Sequence, residues 1–126
     1  MRVILFDIDG TLVSTGGAGV KAFGEAFEAS FGITNATEKT TFAGRTDYSL
    51  FRELCQCNHV DFSVSNRNLF FKHYIEIVDK YLDVSEGGPF PGVIKMLDDL
   101  SSAKSAPSIG LLTGNIEEGA KRKLST

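Results

Sequence analysis

Four apolar residues, Val3-Ile4-Leu5-Phe6, follow Arg2 and run straight into Asp7. A run that is apolar on both faces predicts a central strand of a parallel sheet rather than a half-exposed one. The next segment, 11–19, reads TLVSTGGAG and predicts a loop with hinge character. From Val20 the spacing changes to Val20, Phe23, Phe27 and Phe31, a helical stripe that Gly32 closes. Residues 35–41 are polar and loop-like. Thr46 or Asp47 then caps a short helix carrying Leu50, Phe51 and Leu54, and Ser63 or Ser65 caps a longer one. That longer helix presents Phe70, Tyr74, Ile77, Val78 and Tyr81 as a stripe.

Residues 85–92, SEGGPFPG, end the helical segment and mark a boundary. Val93, Ile94, Leu97 and Leu100 give a further amphipathic helix. A Ser-rich turn ending at Pro107 leads into Ile109-Gly110-Leu111-Leu112, a second strand of buried type, which stops at Thr113-Gly114-Asn115. Asn115 with Glu118 forms an N-x-x-E helix start, and Ile116, Ala120 and Leu124 line one face of the last helix. Strand, crossover helix and second strand imply an α/β fold with a parallel layer, and the helices at 16–88 form an insert after the first strand. Two apolar parallel strands need sheet neighbours and covering helices, so the chain reads as the N-terminal portion of a larger core.

Composition narrows the function classes. The chain has 126 residues, 42% hydrophobic, with a net charge of −3 and no block of Lys/Arg, which removes the electrostatic footprint of a nucleic-acid binder. No apolar run approaches the ~20 residues of a membrane span, and VILF is too short for a signal peptide. Cys55 and Cys57 alone make no disulfide framework and suit a reduced, cytoplasmic protein.

The chemistry concentrates at DIDGT, residues 7–11. Ligands of parallel α/β sheets sit at the carboxyl ends of the strands, where both Asp7/Asp9 and Thr113-Gly114-Asn115 fall. Neighbouring strands lie about 4.8 Å apart, so the two clusters can converge on one small ligand. Two adjacent carboxylates resist ionising together unless a cation is close, and Mg²⁺, with its preference for carboxylate, carbonyl and phosphate oxygens, answers that need. Gly10 allows close backbone approach and Thr11 fixes the turn. An EF-hand reading fails, because the required Gly position is Leu12 and the terminal Glu position is Ala18.

VILFDIDGTL resembles the first motif of the haloacid-dehalogenase-like (HAD) hydrolase superfamily, and LLTGN resembles its second. The helical insert is similar to the small α-helical cap of phosphoglycolate-phosphatase-like members, and PFPGV to the hinge by which that cap rejoins the core. The resemblance implies a Rossmann-like HAD core at 1–15 and 89–126 with a cap at 16–88. It implies Asp7 as nucleophile, Asp9 as general acid and base, and Mg²⁺ on Asp7 and Asp9. Gly10, Thr113, Gly114 and Asn115 would hold the phosphoryl oxygens of a small phosphorylated metabolite. Asp9 favours a phosphatase or phosphomutase, since halide departure needs no proton. Arg45, in the GRTD segment between two cap helices, would contact the substrate.

The superfamily's third-motif Lys and fourth-motif acidic pair are expected beyond Thr126, so little activity is expected of these residues alone. A non-catalytic remnant or interaction module, and within the enzymes a sugar phosphomutase, are the alternatives. Lys121 and Lys123 read as cations near a helix C-terminus. His59 and His73 have no partner cluster, and open strand edges leave oligomerisation open.

Overall fold

The computed structural model describes residues 2–84 and 87–125. Strands β1 (Val3–Phe6) and β2 (Val13–Ser14) precede helices α1 (Ala18–Phe31), α2 (Asp47–Cys57) and α3 (Val64–Val84). Strand β3 (Gly88–Pro89), helix α4 (Val93–Ser102), strand β4 (Ser108–Leu111) and helix α5 (Glu117–Leu124) follow. β1 pairs with β4 in parallel, Val3 opposite Ser108 and Phe6 opposite Leu111. β2 pairs antiparallel with β3, tying together the two chain segments that enter and leave the helical insert. The expected boundary at 85–92 thus coincides with a strand crossing; Ser85 and Glu86 lie outside the described residues.

Helix boundaries follow local chemistry. Gly32 ends α1 in a left-handed conformation, its N–H donating to the Glu28 carbonyl. Thr46 caps α2, its hydroxyl accepting from the Ser49 N–H at 3.1 Å. Ser63 plays the same part for α3, accepting from the Asn66 N–H at 3.1 Å. Of the offered pairs, Thr46 and Ser63 are therefore the caps. α1 starts at Ala18, two residues ahead of the first apolar stripe position.

The largest buried cluster lies within the helical insert. Phe23 and Phe27 of α1, Phe51 of α2, and Phe70 and Tyr74 of α3 are almost completely buried. Phe51 and Phe70 stack with centroids 4.6 Å apart, and Phe23 meets Phe70 edge-on at 5.0 Å. Such pairs add to the ~1.5–3 kcal/mol that burial of each ring contributes. Tyr81 of α3 donates to Glu25 of α1 at the surface. A second, smaller cluster sits under the strand ends: Ile8, Leu12, Val13 and Ala120, with Phe6 and Val93 against it.

The parallel layer differs from expectation. β1 and β4 pair only with each other among the described residues, and Val3, Leu5, Ile109 and Leu111 are exposed. The strands are apolar in sequence yet not buried, because burial of a strand requires neighbours on its edges and helices on its faces. The fold is the N-terminal portion of a parallel α/β core carrying a helical insert. Among the described residues, no helix is long and apolar enough to cross a membrane.

Two outcomes follow from this packing. Phe70→Ala should cost ~3–5 kcal/mol in denaturant unfolding, because the ring touches all three insert helices; a loss below ~1 kcal/mol would contradict the packing. Burial pushes the Cys55 thiol up to about 11, whereas Cys57 is exposed. A thiol reagent at pH 8 should label Cys57 in the native protein and Cys55 only after unfolding, and equal native rates would contradict this.

Candidate active site

The acidic pair is built by a turn around one carbonyl. The Ile8 side chain is fully buried, and its C=O accepts from the N–H groups of Thr11, Leu12 and Val13 at 3.0–3.2 Å. Asp7 and Asp9 flank Ile8, so while Ile8 is anchored inward both carboxylates face the cleft. Asp7 Oδ1 accepts from the Ile8 N–H at 2.8 Å, which fixes its side chain on its own backbone. Gly10 has φ +75, the left-handed region, and its N–H donates to the Val13 carbonyl at 3.0 Å. A side chain there would strain the turn that presents Asp9.

The second cluster arrives by strand pairing. The Leu112 N–H donates to the Phe6 carbonyl at 2.8 Å, extending the ladder to the threshold of Thr113. Thr113 Oγ1 accepts from the Asn115 backbone N–H at 3.1 Å and from its side-chain amide at 2.7 Å. The same Asn115 amide donates to Asp9 Oδ2 at 2.7 Å, joining the two strand ends. Asp7, Asp9, Thr113, Gly114 and Asn115 all line one cleft of about 750 Å³ that also receives Arg45 and the aromatic rings of Phe23, Phe42 and Tyr74.

Two residues central to this cluster carry a different role from the one the sequence suggested. Lys123 is buried, and its Nζ donates to Asp9 at 3.0 and 3.1 Å and to Asn115 Oδ1 at 2.6 Å. It does lie in the last turn of α5, but its ammonium is buried in an ion pair instead of solvated. At 100° per residue, Lys123 lies about 20° from Ile116 around α5 whereas Leu124 lies about 80° away. The inward face is accordingly Ile116, Ala120 and Lys123, and Leu124 is exposed. That angular bookkeeping was the available signal. Asn115 does not cap α5: its side chain serves Thr113, Asp9 and Lys123, and Ile116 stands at the N-cap without a side-chain bond. Glu118 pairs with Lys121 and Arg122 instead of reaching back.

Asp47, expected only as a possible helix cap, is the second. It is 7% exposed at the first position of α2. Its N–H donates to the Gly114 carbonyl at 2.8 Å, and its Oδ2 accepts from the Ile116 N–H at 2.8 Å. Burial raises the Asp47 pKa, opposed by the Ile116 N–H and by Lys123, with the Asp9 charge adding to the rise. Burial, then the charges of Asp47 and Asp9, also push the Tyr74 phenol upward. At Gly114 a Cβ would stand 2.5 Å from the Arg45 carbonyl oxygen, so only glycine admits this approach of the insert to the loop.

Arg45 lines the cleft, but its guanidinium is engaged, donating to Glu53 at 3.0 Å and to Ser49 Oγ at 3.1 Å. His59 and His73 lie outside the cleft's lining. Among the described residues no three His, Cys, Asp or Glu side chains converge as a metal cage. The Asp7 carboxylate and the backbone carbonyl of Asp9 are hard oxygen donors, which fits a Mg²⁺ ion that keeps waters and shares a substrate phosphate.

Comparison with known proteins bears on the fold and the family. No curated protein matches the chain. A crystal structure of a predicted phosphoglycolate phosphatase from Haemophilus somnus 129PT is similar, with a TM-score of 0.63 and 17% identity. The similarity covers 98% of this chain and 56% of that one, so the chain spans little more than half the length of its structural neighbour. At that identity the likeness speaks for the fold. The profile of the haloacid dehalogenase-like hydrolases matches residues 4–126, nearly the whole chain, and the chain belongs to that family.

Proposed function

We propose that the cleft is part of the active site of a Mg²⁺-dependent phosphomonoesterase acting on a small phosphorylated metabolite. The observation that carries the reading is the junction at Asn115, whose amide donates to both Asp9 and Thr113. It sets a pair of carboxylates beside a hydroxyl and loop N–H groups at the carboxyl ends of paired parallel strands. That is a nucleophile, a proton carrier and a cradle for tetrahedral oxygens within one cleft.

In this reading an oxygen of Asp7 attacks phosphorus, the ester P–O bond breaks, and Asp9 donates its proton to the leaving alcohol oxygen. Water then attacks the phosphorus of the aspartyl-phosphate, Asp9 takes the water's proton, and the bond to Asp7 breaks to release inorganic phosphate. Both Asp9 oxygens accept hydrogen bonds here, from Asn115 and Lys123, which orient the carboxyl toward the cleft. Thr113 and Gly114 would hold the phosphoryl oxygens, while Gly10 and Asn115, whose N–H groups serve Val13, Thr113 and Asp9, would shape the cradle around them. Mg²⁺ would sit on the Asp7 carboxylate and the Asp9 carbonyl and supply positive charge against the phosphate. Arg45 lines the same cleft, and exchanging Glu53 for an anionic substrate group is the simplest way for it to take part.

The full polypeptide carrying this chain should hydrolyse p-nitrophenyl phosphate with Mg²⁺, lose activity in chelator and regain it on adding Mg²⁺. Asp7→Asn should abolish turnover. Asp9→Asn should lower it by ~10²–10⁴-fold, the usual contribution of a positioned acid and base. Undiminished turnover by Asp7→Asn would contradict the reading. Transfer of the phosphoryl group to a sugar in preference to water would make the enzyme a mutase.

A further inference from the structure

We propose that Asp47 is a positioning residue through which the helical insert holds the phosphate-binding loop in its working shape. The inference rests on the phosphatase reading for its purpose but on the geometry alone for the clasp itself. Asp47 uses two of its own groups on one short loop. Its N–H takes the Gly114 carbonyl and its carboxylate takes the Ile116 N–H, both at 2.8 Å. Those two partners bracket Asn115, the residue that joins Thr113 to Asp9. Pinning the backbone on either side of Asn115 therefore fixes the direction of its amide.

The contact is close enough to need glycine at 114, where any Cβ would collide with the Arg45 carbonyl. The clasp is thus a close backbone approach rather than a chance surface contact. A carboxylate at 7% exposure is costly unless compensated. Two features compensate it: the Ile116 N–H at the start of α5 and the ammonium of Lys123, which also holds Asp9. Asp47 and Asp9 therefore share one cation, one from the insert and one from the strand end. Arg122 of α5 and Asp79 of α3 form a second ion pair between the same two parts. Loss of the Asp47 bonds would leave the backbone on either side of Asn115 without this brace.

Amide hydrogen exchange of Ile116, read by NMR on the full polypeptide without ligand, tests the clasp directly. Inorganic phosphate binding with Mg²⁺ tests its purpose. Asp47→Ala should speed Ile116 exchange about ten- to a hundredfold, the worth of a hydrogen bond to a charged group. Asp47→Asn, which keeps an acceptor oxygen and the fold but loses the charge, should speed it by about fivefold and restore most of the phosphate affinity lost in Asp47→Ala. In Asp47→Ala, phosphate binding should weaken by about tenfold while exchange in the middle of α3 stays at the wild-type rate. Wild-type exchange at Ile116 in Asp47→Asn and Asp47→Ala, or faster exchange there with unchanged phosphate affinity, would overturn the proposal. Absence of Asp7-dependent hydrolysis in the wild type would overturn the phosphatase reading instead, and the Ile116 comparison would still decide the clasp.

Discussion

One contact organises the cleft: the Lys123 ammonium against the Asp9 carboxylate. Two acidic side chains at the mouth of a strand repel each other, and the turn around Ile8 forces both toward the same cleft. Lys123 donates to both oxygens of Asp9 and to Asn115, so a single buried cation neutralises the acid and holds the loop beside it. An ion pair of this kind is a weak argument for stability, because burying the ammonium offsets much of the attraction. Its value lies in specification. With Lys123 in place, Asn115 has one arrangement that satisfies its amide oxygen and nitrogen together, and that arrangement points at Asp9.

Strand pairing supplies the other half of the account. Because β1 and β4 run parallel and in register, their carboxyl ends open on the same side. The last ladder bond, from Leu112 to Phe6, leaves Asp7 and Thr113 as the first residues free of it. The sheet is small and its apolar faces are exposed, while the insert holds its own phenylalanine core. Most of the buried apolar surface thus belongs to the insert, and the β2·β3 crossing joins it to the strands. Asp47 and the Arg122–Asp79 pair join the insert to α5 and the loop before it as well.

Much of this was legible in the residues. The stripe at Phe23, Phe27 and Phe31 and the one at Phe70, Tyr74 and Val78 mark helices because a buried face repeats at 3.6 residues, and both are observed. The apolar runs at 3–6 and 109–112 mark the paired strands to within one residue. DIDGT and TGN mark the ends that converge. What escaped were side chains whose partners are distant in the chain. Lys123 sits in a run of basic residues that looks like a solvated helix end, and its acid lies 114 residues away. Asp47 looks like an ordinary helix start, yet its partners lie on a loop some seventy residues away, just before another helix. Asn115 matches a capping pattern, but Asp9 and Lys123 compete for its side chain, and a charged partner outbids a backbone amide. Burial of the strands was over-read for a related reason: an apolar run records what a strand is suited to, and its neighbours decide whether it is covered.

Membership of the haloacid dehalogenase-like hydrolases places these strand ends in a family context, and the chemistry rests on whether Asp7 takes the phosphoryl group onto itself. Acid quenching of the full polypeptide during turnover of a phosphomonoester, followed by peptide mass spectrometry, measures that most directly. The account predicts one added phosphoryl group on the peptide containing Asp7, lost on treatment with hydroxylamine. Turnover with that peptide unmodified, or with the phosphoryl group on another residue, would contradict it.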